Sequence, residues 1–122
     1  MRDFQKLIAW QKAHAFAIAA HREAPPAGFR SSPGLRSQLL RAADSISSNI
    51  AEGAGKRTDG EFARYLDIAL GSAREVDNQL MLARALQCVD SLTADKLLVD
   101  LDEVKRILYA LARAVRRRMG GV

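Results

Sequence analysis

The two histidines are candidate metal ligands, because imidazole commonly binds metals in proteins. His14 and His21 lie seven residues apart on one predicted helix. A di-iron site in a helical bundle requires a Glu-x-x-His pair on each of two helices, but Gln11 and Ile18 stand three residues before these histidines. Since two histidines without acidic helpers make a poor metal site, we expect no metal and no other cofactor.

The glycine-containing stretch 53–58 has some features of a phosphate-binding loop. A true P-loop carries a further glycine five residues before its Gly-Lys pair and follows a strand. Here Ile50 occupies that position, and a helical pattern precedes it. A plain turn between two helices is the favoured interpretation. Lys56 and Arg57 remain candidates for phosphate contact, because the start of a helix attracts anions.

The nucleophilic side chains lack the partners that catalysis requires. Ser45, Ser47 and Ser48 are not embedded in a Gly-x-Ser-x-Gly motif. Cys88 has no motif around it, which favours a buried structural thiol. No group of residues meets the requirements of an active site, so the sequence predicts that the protein is not an enzyme.

The densest basic cluster lies near the C-terminus, in a chain whose formal net charge is +5. Cations near the end of a helix are favoured by its dipole, but four guanidiniums within six residues exceed that need. Because arginine forms forked bonds to phosphate, the cluster is the first candidate for binding nucleic acid or an acidic partner. No aromatic stacking platform is interleaved with it, so base-specific readout is not expected. The cluster consists of Arg113, Arg116, Arg117 and Arg118.

Polar side chains accompany the apolar stripes of predicted helices two and three. At 100° per residue they fall on flanks that face each other in an antiparallel pair. We expect Ser72 and Glu75 to meet Gln38 and Arg41 across this pair. Hydrogen bonds that fix helix register are far commoner than catalytic carboxylate pairs, so a structural polar network is the preferred interpretation.

Two further members of this predicted network lie nearer the turn between helices two and three. Asn49 and Glu52 are expected to meet Arg57 or Arg64, or a neighbouring subunit. Their role is again predicted to be structural.

Four amphipathic segments must position these residues. Apolar side chains recur at helical spacing in each segment, and no alternating strand pattern occurs. The prediction is one all-α domain over residues 1–122, an antiparallel up-down-up-down four-helix bundle with helices at about 3–22, 33–52, 59–87 and 94–118. Short links between consecutive helices force antiparallel neighbours.

Local signals set the predicted helix boundaries. Gly53 is placed for a left-handed cap at the end of helix two. Thr58 and Glu61 match a capping box before helix three, and Thr93 is expected to begin helix four.

Predicted helix one is apolar on more than one face. Its main stripe is expected to contain Phe4, Leu7, Ile8, Ala15, Ile18 and Ala19, but other faces carry Trp10, Ala13, Phe16, Ala17 and Ala20. A helix that is apolar most of the way round must bury more than one side. Self-association is therefore expected.

Cysteine usage and hydropathy suggest a cellular location. The single cysteine allows no internal disulfide, which fits a reducing compartment. No apolar run reaches the roughly 20 residues that span a bilayer, and the first residues do not form a signal peptide. The expectation is a cytoplasmic protein without a membrane partner.

Three segments resemble the bacterial family of four helix bundle proteins, also called 23S rRNA-intervening sequence proteins. They are residues 4–10 with Ala13, residues 35–53 and residues 62–75. The second segment contains the family's Asn-Ile-Ala-Glu-Gly signature at 49–53, and the third contains its Ala-x-Gly-Ser-x-x-Glu signature at 69–75.

The resemblance implies a homo-oligomeric bundle, a ring of five in known relatives, without an established enzymatic activity. Some members are encoded inside insertions in ribosomal RNA genes. The chain is also similar to accessory variability determinants of diversity-generating retroelements, which bind nucleic acid and a reverse transcriptase. The favoured hypothesis is a non-enzymatic, oligomeric adaptor that binds RNA or DNA through its basic surface. The alternative is a protein-interaction scaffold with a reverse-transcriptase-like or ribosome-related partner and no nucleic-acid contact.

Overall fold

The computed structural model describes residues 2–119, which form four long helices and no strand. These helices are α1 (Ile8–Glu23), α2 (Pro33–Ala54), α3 (Asp59–Ala85) and α4 (Ser91–Arg117). Short 3-10 helices at Phe4–Lys6 and Pro26–Phe29 precede α1 and α2. The predicted all-α four-helix fold is confirmed.

Side-chain pairs show that consecutive helices run antiparallel. In the α3–α4 pair, Arg84 contacts Asp95 near the link, and Asp67 contacts Arg116 far from it. Each helix packs against its neighbours in sequence and α4 also packs against α1, whereas the diagonal pairs do not meet among the described residues. This arrangement places the N-terminal segment, the α2–α3 turn and the end of α4 at one end of the bundle.

The core consists of aliphatic side chains, alanines and three buried phenylalanines, Phe16, Phe29 and Phe62. Burying such side chains contributes roughly 1.5–3 kcal/mol each, so the stripes of α2, α3 and α4 supply most of the stabilisation. Apolar side chains at helical spacing on these three helices form the core, and the large ones that are fully buried are Leu39, Ile46, Ile50, Phe62, Leu66, Val76, Leu80, Leu97, Leu101, Val104 and Leu108.

The buried face of α1 is not the stripe that the sequence favoured. Half of that predicted stripe faces outward, since Ile8 is 61% exposed, Ile18 is 38% exposed and Ala15 is exposed as well. Its other members, Phe4, Leu7 and Ala19, are partly buried against the core. The core side instead carries Ala9, Ala13, Phe16, Ala17 and Ala20. Both faces have helical spacing, so periodicity could not choose between them. The alanine face is buried because small side chains let α1 approach α2 and α4 closely.

The helix starts differ from the expected positions by a few residues. Residues before Ile8 do not join α1, because Leu7 is extended at φ −77° and ψ 124°. Helix α4 begins at Ser91 and is capped by Asp90, not by Thr93. The backbone N–H of Thr93 donates to the Asp90 carboxylate at 2.7 Å, and this bond lowers the pKa of Asp90.

Of the two predicted signals around the α2–α3 turn, the cap before α3 forms and the cap after α2 does not. Thr58 caps α3 as expected, since its Oγ1 accepts the backbone N–H of Glu61 at 3.1 Å. The predicted left-handed cap at Gly53 is wrong, because α2 continues to Ala54 and the following Gly55 has a right-handed conformation. Gly53 lies inside the helix and is buried, where a Cβ atom would stand 2.6 Å from the Cβ of Tyr65. Its role is to allow close approach of α3.

None of the helices within residues 2–119 combines the length and the apolar character that crossing a membrane requires.

Candidate nucleic-acid interface

A groove of about 510 Å³ between α3 and α4 holds three of the four predicted C-terminal arginines. Arg113, Arg116 and Arg117 line it from the last turns of α4, and all three are exposed. Buried Leu70 and Ala112 also line the groove. The groove thus combines an apolar base with a charged rim.

Helix geometry explains why these side chains converge. Residues three, four and seven apart share one face of a helix, which groups Tyr109, Arg113 and Arg116 on α4. Antiparallel packing then brings Arg74 and Asp67 of α3 to the opposite wall of the groove. The rim therefore carries four guanidiniums against one carboxylate.

The guanidiniums of the rim differ in what they contact. Arg116 donates to the Asp67 carboxylate, but both side chains are about half exposed, so this pair stabilises the fold by no more than about 1 kcal/mol. Arg74 donates to the hydroxyl of Tyr109 at 2.7 Å. Arg113 and Arg117 form no ion pair with any residue between 2 and 119, so their charges are available to a ligand.

Arg74 and Tyr109 were not among the candidates from sequence. No aromatic residue lies within the cluster 113–118, but Tyr109 lies one helical turn before Arg113 and lines the same groove. Its spacing from Arg113 was a readable signal. The contribution of Arg74 depends on the packing register of α3 on α4, and no local pattern reveals that register.

The other basic candidates lie at the same end of the bundle but outside the groove. Arg118 contacts Asp59 at 3.2 Å, and Asp59 also binds the guanidinium of Arg2. The Lys56 ammonium lies 3.6 Å from Glu52 and 5.2 Å from the ring centroid of Tyr65. Among the described residues Arg57 has no ion-pair partner, and its side chain is exposed.

The polar side chains of α2 and α3 line a second cleft, of about 330 Å³. Gln38, Arg41 and Glu75 line it together with Ser72. Ser72 Oγ lies 2.9 Å from Ser45 Oγ, whereas the sequence predicted that Ser72 would meet Gln38 and Arg41. The register differs by more than one helical turn, because Phe62 and Tyr65 pack on Gly53 and the start of α3 extends past the end of α2.

Among residues 2–119, neither Asn49 nor Glu52 forms a hydrogen bond or an ion pair with Arg57 or Arg64. Asn49 Nδ2 donates within α2, to the carbonyl of Ser45 at 2.8 Å and to its hydroxyl at 2.9 Å. Glu52 pairs with Lys56 in the following turn. The Arg64 guanidinium instead lies 5.8 Å from the ring centroid of Tyr65.

The histidines take part in aromatic and polar contacts on the outside of α1. The ring of His14 stacks on Trp10 with centroids 4.6 Å apart, and His21 Nε2 lies 2.8 Å from an Asp44 carboxylate oxygen. Within residues 2–119, no three side chains of His, Cys, Asp or Glu are grouped closely enough to hold a metal ion.

The fold and the groove together define an antiparallel helical bundle with an arginine-rich end. Residues 5–110 match the model of the family described as 23S rRNA-intervening sequence protein, so the chain belongs to that family. A search of curated proteins finds no match.

One solved structure provides a comparison of the fold. It is the 1.70 Å crystal structure of a protein with unknown function from the S23 ribosomal protein family of Bacteroides thetaiotaomicron. The two chains superpose with a TM-score of 0.77 at 21% identity, over 86% of this chain and 98% of the other. At this identity the likeness shows the fold alone.

Proposed function

We propose that the protein is a non-enzymatic, homo-oligomeric helical bundle that binds nucleic acid, with RNA as the first candidate, through the arginine-rich groove between α3 and α4. The observation that carries the proposal is the position of Arg113 and Arg117. They face an open groove with no acidic partner among residues 2–119. Arginine clusters of this kind recognise phosphate through paired N–H donors.

The wider surface at this end of the bundle supports the same proposal. Lys56 and Arg57 in the α2–α3 turn lie near the end of α4, as the contact between Arg118 and Asp59 shows. A nucleic-acid strand whose phosphates follow the groove therefore meets further cations, Lys56 and Arg57, beyond its end. Long-range attraction of a polyanion to such a surface also increases the rate of association.

The non-enzymatic part of the proposal rests on what the polar side chains do. Ser45, Ser72 and Asn49 satisfy one another through hydrogen bonds. Asp90, whose carboxyl has a lowered pKa, caps a helix. These are structural tasks, and none places a base beside a nucleophile as an active site requires.

The oligomeric part rests on the outer face of α1. Ile8 and Ile18 are exposed there, and Ala15 lies between them on the same face. An apolar stripe on the outside of a bundle is typical of a surface that packs on another protein. The family resemblance favours a ring of five subunits.

Fluorescence anisotropy with a labelled RNA hairpin tests the nucleic-acid part. We expect binding at low salt, and an affinity that falls at least about twentyfold between ~50 and ~200 mM salt if some three phosphates are neutralised. The double variant R113E/R117E should lose more than about tenfold in affinity, because it replaces two attractive charges with two repulsive ones.

The matched control is R22E/R30E, which changes the net charge equally at the opposite end of the bundle, where both side chains are exposed. It should bind within about threefold of the unmodified protein, since its charges lie well beyond one Debye length of the groove. Absence of binding at low salt, or equal losses in the two double variants, contradicts the proposal. A protein partner captured after nuclease treatment would then favour the scaffold alternative.

A further inference from the structure

The groove contains an aromatic ring that phosphate binding alone does not require. Tyr109 is 44% exposed, although it stands beside buried Ala112 on α4. Its hydroxyl accepts a hydrogen bond from Arg74 at 2.7 Å, and the Arg74 guanidinium carbon lies 6.0 Å from the ring centroid. The ring thus lies at the rim of the groove, next to a second planar group.

The Tyr109 ring and the guanidiniums of Arg113 and Arg117 are spaced so that the ring can meet a base and the guanidiniums can meet its phosphates. Arg113 follows Tyr109 by one helical turn, which is about 6 Å along the axis, and Arg117 follows by two, which is about 12 Å. A nucleotide carries a flat base beside a charged phosphate, so a base on Tyr109 leaves its flanking phosphates near these guanidiniums. The groove volume of about 510 Å³ falls within the roughly 300–1,000 Å³ of small-ligand sites.

We infer that the groove binds a single-stranded segment of nucleic acid, with one unpaired base stacked on Tyr109 and the neighbouring phosphates on Arg113 and Arg117. The inference rests on the proposed function and names its substrate class. A base within a duplex is stacked and paired and cannot reach the ring, whereas a base in a loop or a single strand can. Stacking on an aromatic side chain accepts any base, because every base has a π-face.

The experiment compares two labelled probes, an unstructured RNA single strand and a blunt RNA duplex of equal phosphate number, by anisotropy at one salt concentration. Replacing Tyr109 by Ala should weaken binding of the single strand by at least about fivefold and binding of the duplex by less than about twofold. Replacing Tyr109 by Phe removes the hydroxyl that Arg74 contacts but keeps the ring, so its affinities should stay within about twofold of the unmodified protein.

Helicity measured by circular dichroism verifies that each variant is folded. Should Y109A lose helicity, Y109L takes its place, because leucine covers Leu70 and Ala112 without offering a π-face. A loss of less than fivefold on the single strand, or an equal loss on both probes, overturns the inference.

The result separates this inference from the proposed function. If R113E/R117E abolishes binding while Y109A leaves it unchanged, the groove binds phosphates only and the single-strand inference fails alone. If the unmodified protein binds neither probe, both fail.

Discussion

At the residue scale, Gln87 stands out because it is the one non-glycine residue among 2–119 with positive φ, at 61°. It follows the end of α3 in a Schellman arrangement. The N–H of Cys88 donates to the carbonyl of Ala83 at 2.8 Å, and the N–H of Gln87 donates to that of Arg84 at 3.0 Å. Glycine is usual at this position, since a side chain in the left-handed region costs roughly 1–2 kcal/mol.

Gln87→Gly should therefore raise the free energy of unfolding by about 1 kcal/mol. Urea denaturation followed by circular dichroism measures the change. The control is Ala110→Gly, an exposed position inside α4, where glycine should lower the same free energy by about 1 kcal/mol. Two glycine substitutions with the same sign would contradict the prediction.

Contacts between residues that are close in sequence could be predicted, whereas contacts between distant residues could not. The Thr58–Glu61 cap lies within four consecutive residues, and the cap forms as expected. The contact between Arg74 and Tyr109 joins residues 35 positions apart. It depends on the register of two helices, which the capping signals at their ends do not determine.

At the element scale, Gly53 controls how closely α2 and α3 approach. A Cβ atom there would lie 2.6 Å from the Cβ of Tyr65 and 3.1 Å from Cδ1 of Phe62. The first of these atoms is fixed to the α3 backbone, so the helices would have to separate. Gly71 in α3 differs, since a Cβ atom there would meet no packing neighbour among residues 2–119 within 4 Å.

Gly53→Ala should lower the free energy of unfolding by about 1–3 kcal/mol through overpacking. Gly71→Ala should raise it by about 0.5–1 kcal/mol, because alanine is the better helix former and meets no obstacle. Denaturant unfolding of both variants under identical conditions measures the two changes in the free energy of unfolding. If Gly53→Ala were neutral, the close approach of the two helices would not be needed for stability.

The orientation of helices was less predictable than their existence. Helices α2, α3 and α4 each have one apolar face, so the spacing of their apolar residues indicates which face is buried. Helix α1 has apolar residues on both sides, and the alanine side faces the core while Ile8 and Ile18 face outward. Which side is buried depends on how closely the neighbouring helices pack, and the sequence of α1 alone does not contain that information.

At the scale of the whole molecule, the exposed side of α1 predicts the behaviour of the protein in solution. Ile8→Glu combined with Ile18→Glu should reduce the assembly to smaller species at unchanged helicity, because charges cannot be buried unpaired in an apolar interface. Light scattering during size-exclusion chromatography measures the mass against that of the 13.4 kDa chain.

The control for this experiment is Val99→Glu on α4. Val99 is 67% exposed and lies among the exposed charged residues Lys96, Asp102 and Glu103, so a further carboxylate there should leave the mass unchanged. A monomeric parent protein, or equal dissociation in both variants, would contradict the expected interface on α1.

The carboxylate of Asp59 contacts two guanidiniums from opposite ends of the chain, Arg2 and Arg118. Arg2 also donates to the carbonyl of Lys56 at 3.2 Å. An anion that attracts Arg118 competes directly with Asp59 for it, and the same holds for Arg2. Binding of a polyanion is therefore thermodynamically linked to the contacts that Asp59 makes with Arg2 and Arg118. Because the linkage is reciprocal, stronger contacts at Asp59 mean a lower affinity for the anion.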